Sequence, residues 1–226
     1  MKSINLLILY MCSLLSFFSQ GIPTKESNID YIVTYGKEAS NNLGDDDNSQ
    51  VFFITLPTSY INKFYVRVYS PGANSKIDVK ASNNSVFEFL VYGGDSVFNE
   101  ASRNHNPIIG YDKGDLLESE KFDKEADTSW VSLGPFNPRD GGVFVSSSGT
   151  KQRIFKIICR GLSGNDGNLY RLFISAERDR NVEITGGNSF TYEYSFRMKS
   201  IKGSQCYFFP FIDSDTKAIK QNNFDF

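Results

Sequence analysis

Histidine is nearly missing from this chain. One residue, His105, stands among 226, beside three cysteines and one tryptophan. No C-x-x-C pair and no H-E-x-x-H run occurs, so the ordinary ligand sets for zinc are lacking. A Ser-His-Asp arrangement would have to use His105, which sits in a polar Asn-His-Asn-Pro stretch. No G-x-S-x-G elbow presents a nucleophile; Gly161-Leu162-Ser163-Gly164 is similar only until its second glycine, which comes one residue early. Phosphate-cradling glycine loops and the strand–helix alternation of dinucleotide-binding folds are also absent. Glycosidases need only two carboxyl groups, and 26 acidic residues single out no pair. A glycan-processing β-sandwich enzyme therefore stays an alternative by analogy of fold, with no residues assigned to it.

Neither sign of charge dominates. Lysine and arginine total 24 against 26 acidic residues, a net charge of -2. The basic residues form no stripe along the sequence, so no nucleic acid, polyanion or membrane surface is implied as partner. Only one apolar run is long, Leu6–Phe18, with Lys2 before it and Ser16, Ser19 and Gly21 as small residues near its end. It is short for a membrane span and has no basic stop-transfer flank. It reads as a secretory signal peptide over residues 1–20, not a transmembrane anchor. Cys12 follows Leu9-Tyr10-Met11, where a lipidation signal needs a small residue. The expected home of the chain is thus secreted, periplasmic or on a cell surface. Loss of residues 1–20 leaves Cys159 and Cys206, an even count that permits one disulfide in an exported protein. Two buried thiols are the alternative, because two strand cysteines pair only with Cα atoms roughly 4.4–6.8 Å apart.

What is abundant is alternation. From Val51 onward, short runs rich in aromatic and β-branched residues follow one another between Gly, Pro, Asn and Asp turns. Phe52, Ile54 and Leu56 form one such run, Phe64, Val66 and Val68 a second, and Phe87, Phe89 and Val91 a third. Successive side chains of a strand point to opposite faces, so each run predicts a half-buried strand. The organising stretch is Arg153–Ala176, read as two strands closing a hairpin through Gly161–Asn168. Phe190–Met198 alternates most regularly of all, and Cys206–Ile212 reads as a last strand broken by Pro210. Ile77 and Val79 suggest a short strand. Residues 95–129 break the rhythm and predict one long irregular insertion with a helical turn or two over 114–127. The whole predicts an all-β, antiparallel β-sandwich, jelly-roll-like, over residues 51–212. A polar, extended lead-in over 21–50, with a short apolar patch at Tyr31-Ile32-Val33 that could contribute an edge strand, precedes it, and a polar tail over 213–226 follows. A small outer-membrane β-barrel is a further alternative, disfavoured because most runs are short of the ~10 residues that such strands need.

Candidate sites follow from what this scaffold exposes. Tyr65, Tyr69 and Tyr92 fall off the apolar phase of their strands and offer rings for a sugar face or a protein partner. Cross-strand pairing is the ordinary alternative. Trp130 reads as a core anchor rather than a platform. Asp45, Asp46 and Asp47 cluster hard oxygen ligands that suit calcium, without the spacing of an EF-hand loop. A plain solvated acidic loop is the commoner outcome for such a triplet. Asn83-Asn84-Ser85 is a glycosylation sequon.

The residues Phe155-Lys156-Ile157-Ile158, Gly161-Leu162-Ser163-Gly164-Asn165 and Gly167-Asn168-Leu169-Tyr170-Arg171-Leu172 resemble the closing strand–turn–strand of bacterial pre-peptidase C-terminal domains. Phe87–Gly94 loosely suits the mid-domain strand of that family. The resemblance implies a non-catalytic β-sandwich of a secreted or cell-surface protein. Such modules accompany peptidases and adhesins, and some take calcium, collagen or polysaccharide. No peptidase is attached here, and no ligand set of the family maps onto named residues. The expected function is a binding or accessory module for an extracellular glycan or protein, acting through loops and exposed aromatics.

Overall fold

The alternation sorts side chains as the sequence predicts, and the sorting builds two sheets. The computed structural model describes residues 20–40, 48–81, 85–99, 113–124, 126, 128–146, 149–198, 201–207 and 217–218. Its strands in chain order are β1 (Gly21–Ile22), β2 (Tyr31–Tyr35), β3 (Ser49–Pro57), β4 (Phe64–Tyr69), β5 (Val86–Gly93) and β6 (Asp115–Phe122). They continue with β7 (Trp130–Phe136), β8 (Gly142–Val145), β9 (Lys151–Ser163), β10 (Gly167–Ser175), β11 (Asn188–Phe190) and β12 (Phe196–Arg197). The first sheet runs β12-β2-β10-β4-β7 with β1 also on β10; the second runs β11-β3-β9-β5-β6 with β8 also on β9. Every pairing is antiparallel. The chain changes sheet at most of its connections, and the two sheets do not close into a barrel. The fold is an antiparallel β-sandwich.

The main core lies between the sheets. Phe52, Ile54 and Leu56 of β3, Phe87, Phe89 and Val91 of β5, and Phe155, Ile157 and Cys159 of β9 face inward from the second sheet. Phe64, Val66 and Val68 of β4 and Tyr170, Leu172 and Ile174 of β10 meet them from the first. Rings cross the gap edge to face: Phe64 to Phe155 at 4.9 Å and Phe89 to Tyr170 at 5.2 Å. Such pairs add about 0.5–1.5 kcal/mol beyond the area they bury. The Tyr170 hydroxyl, fully buried, shares a hydrogen bond with Thr34 Oγ1 at 2.9 Å. Gln50 donates to that same Thr34 oxygen at 2.7 Å and accepts from the Ser195 N–H at 2.9 Å. A buried hydroxyl would cost 1–3 kcal/mol unpaired, so this relay is what lets a tyrosine stand in the core.

Several expectations are corrected here. Strands β9 and β10 do not form a hairpin; β9 pairs with β3, β5 and β8, and β10 with β1, β2 and β4. Most residues on both faces of each are buried, as suits the centre of a sheet, and the short turn between them arches from one sheet to the other. Residues 21–50 are no mere lead-in: they supply β1, β2 and the start of β3, and β2 is flanked by β10 and β12. Residues 114–127 hold the edge strand β6 in place of helical turns. The regular run Phe190–Met198 yields only β11 and β12, because the chain crosses between sheets at 191–195, where Thr191 Oγ1 donates to Val51 O at 2.6 Å. Ile77 and Val79 form no strand beyond a single bridge from Val79 to Gly167. Cys206 is not in a strand, and most of the remaining run lies outside the described residues.

Gln20 belongs to the fold. It is buried, its Nε2 donates to Ile184 O at 2.6 Å, and its Oε1 accepts from Ile184 N–H at 2.7 Å. Its backbone carbonyl accepts from Ile174 N–H at 2.9 Å. A cut after Gln20 would strip these bonds from the edge of β10, so the boundary of the folded unit precedes this residue. Residues 1–19 lie outside the described residues.

The expected disulfide is absent. Cys159 and Cys206 are both free thiols: Cys159 points into the core from β9, and the half-buried Cys206 donates to Asn28 O at 3.3 Å. In the native protein iodoacetamide labels Cys206, and Cys159 reacts only after denaturant is added. A Cys159–Cys206 linked peptide in a non-reducing map would contradict this.

Candidate functional site

The outer face of the first sheet carries the chain's most distinctive side-chain array. Because Val66, Val68, Leu172 and Ile174 point inward, Tyr65, Arg67 and Tyr69 of β4 and Arg171 and Phe173 of β10 point out. Register then aligns them. Arg171 lies opposite Tyr69, and Tyr69 opposite Trp130 of β7. On the other side Arg197 of β12 lies opposite Tyr31 of β2, while its neighbour Phe196 packs on the core. The result is one row across five strands: Arg197, Tyr31, Arg171, Tyr69, Trp130. Neighbouring strands sit about 4.8 Å apart, so the row is continuous at the scale of a ring.

The row is packed internally. Tyr31 and Tyr69 lean over β10 until their centroids are 6.4 Å apart with an interplanar angle of 19°. The Arg171 guanidinium lies 4.5 Å from the Tyr31 ring and 5.9 Å from the Tyr69 ring. Tyr69 meets Trp130 at 5.5 Å, and the Arg67 guanidinium, one residue pair along, stands 5.2 Å over the Trp130 ring. Each cation–ring contact contributes about 0.5–1 kcal/mol at an exposed site and more when desolvated. Arg67 is itself buried, donating from Nη1 to Asn181 Oδ1 at 2.6 Å and from Nε to Ser132 Oγ at 3.1 Å. Burial pulls its guanidinium below the usual range, and the Asp179 carboxylate partly offsets that. Arg171 donates from Nε to Asp30 O at 2.6 Å, which fixes the plane of its fork.

Loops flank the row on both sides. Ile77 and Val79 lie against Val33, Leu169 and Tyr35 on one side. That loop is pinned by two carboxylates, the half-buried Asp78 and the buried Asp166. Asp78 accepts from Leu169 N–H at 2.8 Å and from Ser75 Oγ at 2.6 Å, and Asp166 accepts from Ala81 N–H and Ser85 Oγ, both at 2.6 Å. Burial raises the Asp78 carboxyl above its ordinary range, against the hydrogen bonds that lower it. On the other side, the 177–182 connection brings Asn181 to Arg67 and the Arg178 carbonyl to Ser132.

The second sheet's outer face is less open. Phe53, Leu90, Ile154, Ile158 and Val97 form a second apolar cluster there, capped by Phe98, Phe144 and Tyr192. Tyr92 belongs to this cluster and is buried, with the Lys156 ammonium 5.3 Å from its ring. Glu88, on the same phase of β5 as Leu90 and Tyr92, is buried too. Burial alone would raise its carboxyl, but donation from Ser119 and from Arg160, at 2.7 Å, brings it below the ordinary range. The acceptor oxygens of Asp78, Asp166 and Glu88 are thus engaged by the protein's own donors, an anchoring role.

The residues singled out from sequence separate accordingly. Tyr69 is in the row and Tyr65 is on the same face, both half-buried. Tyr92 is corrected from platform to packed residue, because its strand's outer face is covered by the cluster around Phe53. Trp130 is corrected from core anchor to surface ring. Asp45, Asp46, Asp47 and His105 lie outside the described residues. Of the sequon, Ser85 is buried and Asn83 and Asn84 lie outside the described residues. Among the described residues no group of three or more His, Cys, Asp or Glu is placed to hold a metal, and no helix is long and apolar enough to cross a membrane. Sequence reasoning missed Tyr31, Arg67, Arg171 and Arg197, since no local pattern brings residues from four strands into one row.

Compared with protein-family models, with curated proteins and with solved structures, the chain finds no match in any of the three.

Trp130 is the chain's only tryptophan, so its fluorescence reports on this row alone. Tyr69→Ala removes one wall of its surroundings. Its emission moves to longer wavelength and acrylamide quenching rises, while stability falls by only about 1 kcal/mol, as for a cross-strand pair. Unchanged emission would contradict the packing described.

Proposed function

We propose that this protein is a non-catalytic binding module of the extracellular or cell-surface kind, and that its ligand docks on the outer face of the first sheet. The observation that carries this reading is the Tyr31–Tyr69–Trp130 row. Three half-buried rings stand on a rigid sheet, with two guanidinium groups packed against them. Flat rings with fixed rotamers offer stacking area at little entropic cost, which suits the apolar face of a sugar. The leader-like apolar run Leu6–Phe18 and the resemblance of Phe155–Leu172 to accessory β-sandwich modules support the same reading.

A glycan array probed with the purified protein tests it, followed by titration of any hit with Trp130 emission as the signal. The expected result is a saturable change in emission and a loss of about tenfold or more in affinity in Tyr69→Ala, the size of a modest interfacial hot spot. A protein ligand would give no array hit but the same dependence on Tyr69 in a pull-down, and would redirect the partner from glycan to protein. Binding that survives Tyr69→Ala with unaltered Trp130 emission would overturn this face as the site.

A further inference from the structure

We infer that the ligand of this face is an acidic glycan, one whose sugar rings lie on Tyr31, Tyr69 and Trp130 while a carboxylate or sulfate group meets Arg171. This deepens the binding reading above and rests on it. The chain's overall charge of -2 hides the point, because Arg67, Arg171 and Arg197 are 26 or more residues apart in sequence yet reach one face. Their situations differ. Arg67 is occupied by Asn181 and Ser132, with Asp179 nearby. Arg171 spends only its Nε, on Asp30 O, and among the described residues no carboxylate pairs with it. Arg197 is exposed and has no carboxylate partner among them either. A half-buried guanidinium held against two rings, with its two terminal nitrogens unspent, is a preformed fork for a planar or tetrahedral anion.

Position makes the anion part of a larger ligand. Arg171 stands between Tyr31 and Tyr69 in the row, so an anion on its fork is flanked by ring surface on both sides. A free inorganic ion would use the fork and leave the rings idle; a chain of sugar rings bearing acid groups uses both. Nucleic acid would also stack and pair. A single-stranded oligonucleotide is therefore one arm of the test.

The test is titration of Trp130 emission with oligogalacturonate, with a neutral glucan of equal length, and with a single-stranded oligonucleotide, at low and high salt. The variants are Arg171→Gln, Arg171→Lys and Tyr69→Ala, each checked for a single cooperative melting transition well above the assay temperature. The expected result is that oligogalacturonate binds about tenfold tighter than the neutral glucan, the scale of one charge-assisted contact, and that this margin shrinks with salt. Arg171→Gln removes the margin, so that oligogalacturonate and the neutral glucan bind it with the same affinity. Arg171→Lys restores only part, since an ammonium makes no fork. Equal affinity for both glycans, unchanged in Arg171→Gln, overturns the acidic inference and leaves the binding reading standing. Binding of neither glycan, with no dependence on Tyr69, overturns both. Oligonucleotide binding that exceeds oligogalacturonate and depends on Arg171 overturns the glycan as the class of partner.

Discussion

Everything in this molecule hangs on the pressing together of the two sheets across one apolar core. Strands β9 and β10 are the middle strands of these sheets, and each shows that core an apolar row: Phe155, Ile157 and Cys159 from β9, and Tyr170, Leu172 and Ile174 from β10. The turn between them is only residues 164–166, so the two sheets cannot drift apart at that end. Burial supplies about 1.5–3 kcal/mol for each such large side chain, before the entropy of ordering is subtracted. Once these two strands are opposed, the others add outward by ordinary antiparallel pairing. Gly161 shows how close the approach is: a Cβ there would sit 2.3 Å from the Tyr35 carbonyl oxygen, so only glycine lets β9 pass beneath the end of β2.

The aromatic row is a by-product of the same constraint. Because even-numbered residues of β10 must face the core, Arg171 and Phe173 face out. Because β4 is locked to β10 in one register, Tyr69 falls opposite Arg171 and no other residue of β10. A slip of one residue would turn Tyr69 into the core and Val68 to the surface, at a cost in buried area that forbids it. The row is therefore as rigid as the core beneath it, and the guanidinium groups that pack on its rings are placed before any ligand arrives. Such preorganisation lowers the ordering cost of any contact made there.

Much of the fold was legible in the sequence, and the reason is period two. The inward faces of β3, β4 and β5 were read from Phe52, Phe64 and Phe87 and their alternate neighbours, and they are the core that forms. Pairing partners were not legible. Alternation says that a strand has two faces, not which strand lies beside it, so β9 and β10 read as a hairpin although each sits in a different sheet. Phe190–Met198 misled in the same way: its apolar face is continuous, yet Phe190 and Tyr192 serve the outer cluster of one sheet while Tyr194 and Phe196 pack on the inner core. Tyr92 looked like a platform because nothing local announces the second layer that covers it. Of the row, only Tyr69 was found. Trp130 was seen and assigned to the core, and the arginines carry no signal until the registers of β2, β4, β10 and β12 are known.

Those registers are the central claim, and ring-proton NOEs between Tyr31 and Tyr69 test them most directly. The two residues lie on strands that flank β10 from opposite sides, yet their rings stack at 6.4 Å between centroids. A direct NOE between the two rings, together with one from Tyr69 to Trp130, is the predicted result. If β9 and β10 paired as a hairpin, one of the two flanks of β10 would be taken by β9, and Tyr31 and Tyr69 would not meet. Absence of the Tyr31–Tyr69 NOE in a well-dispersed spectrum would contradict the account.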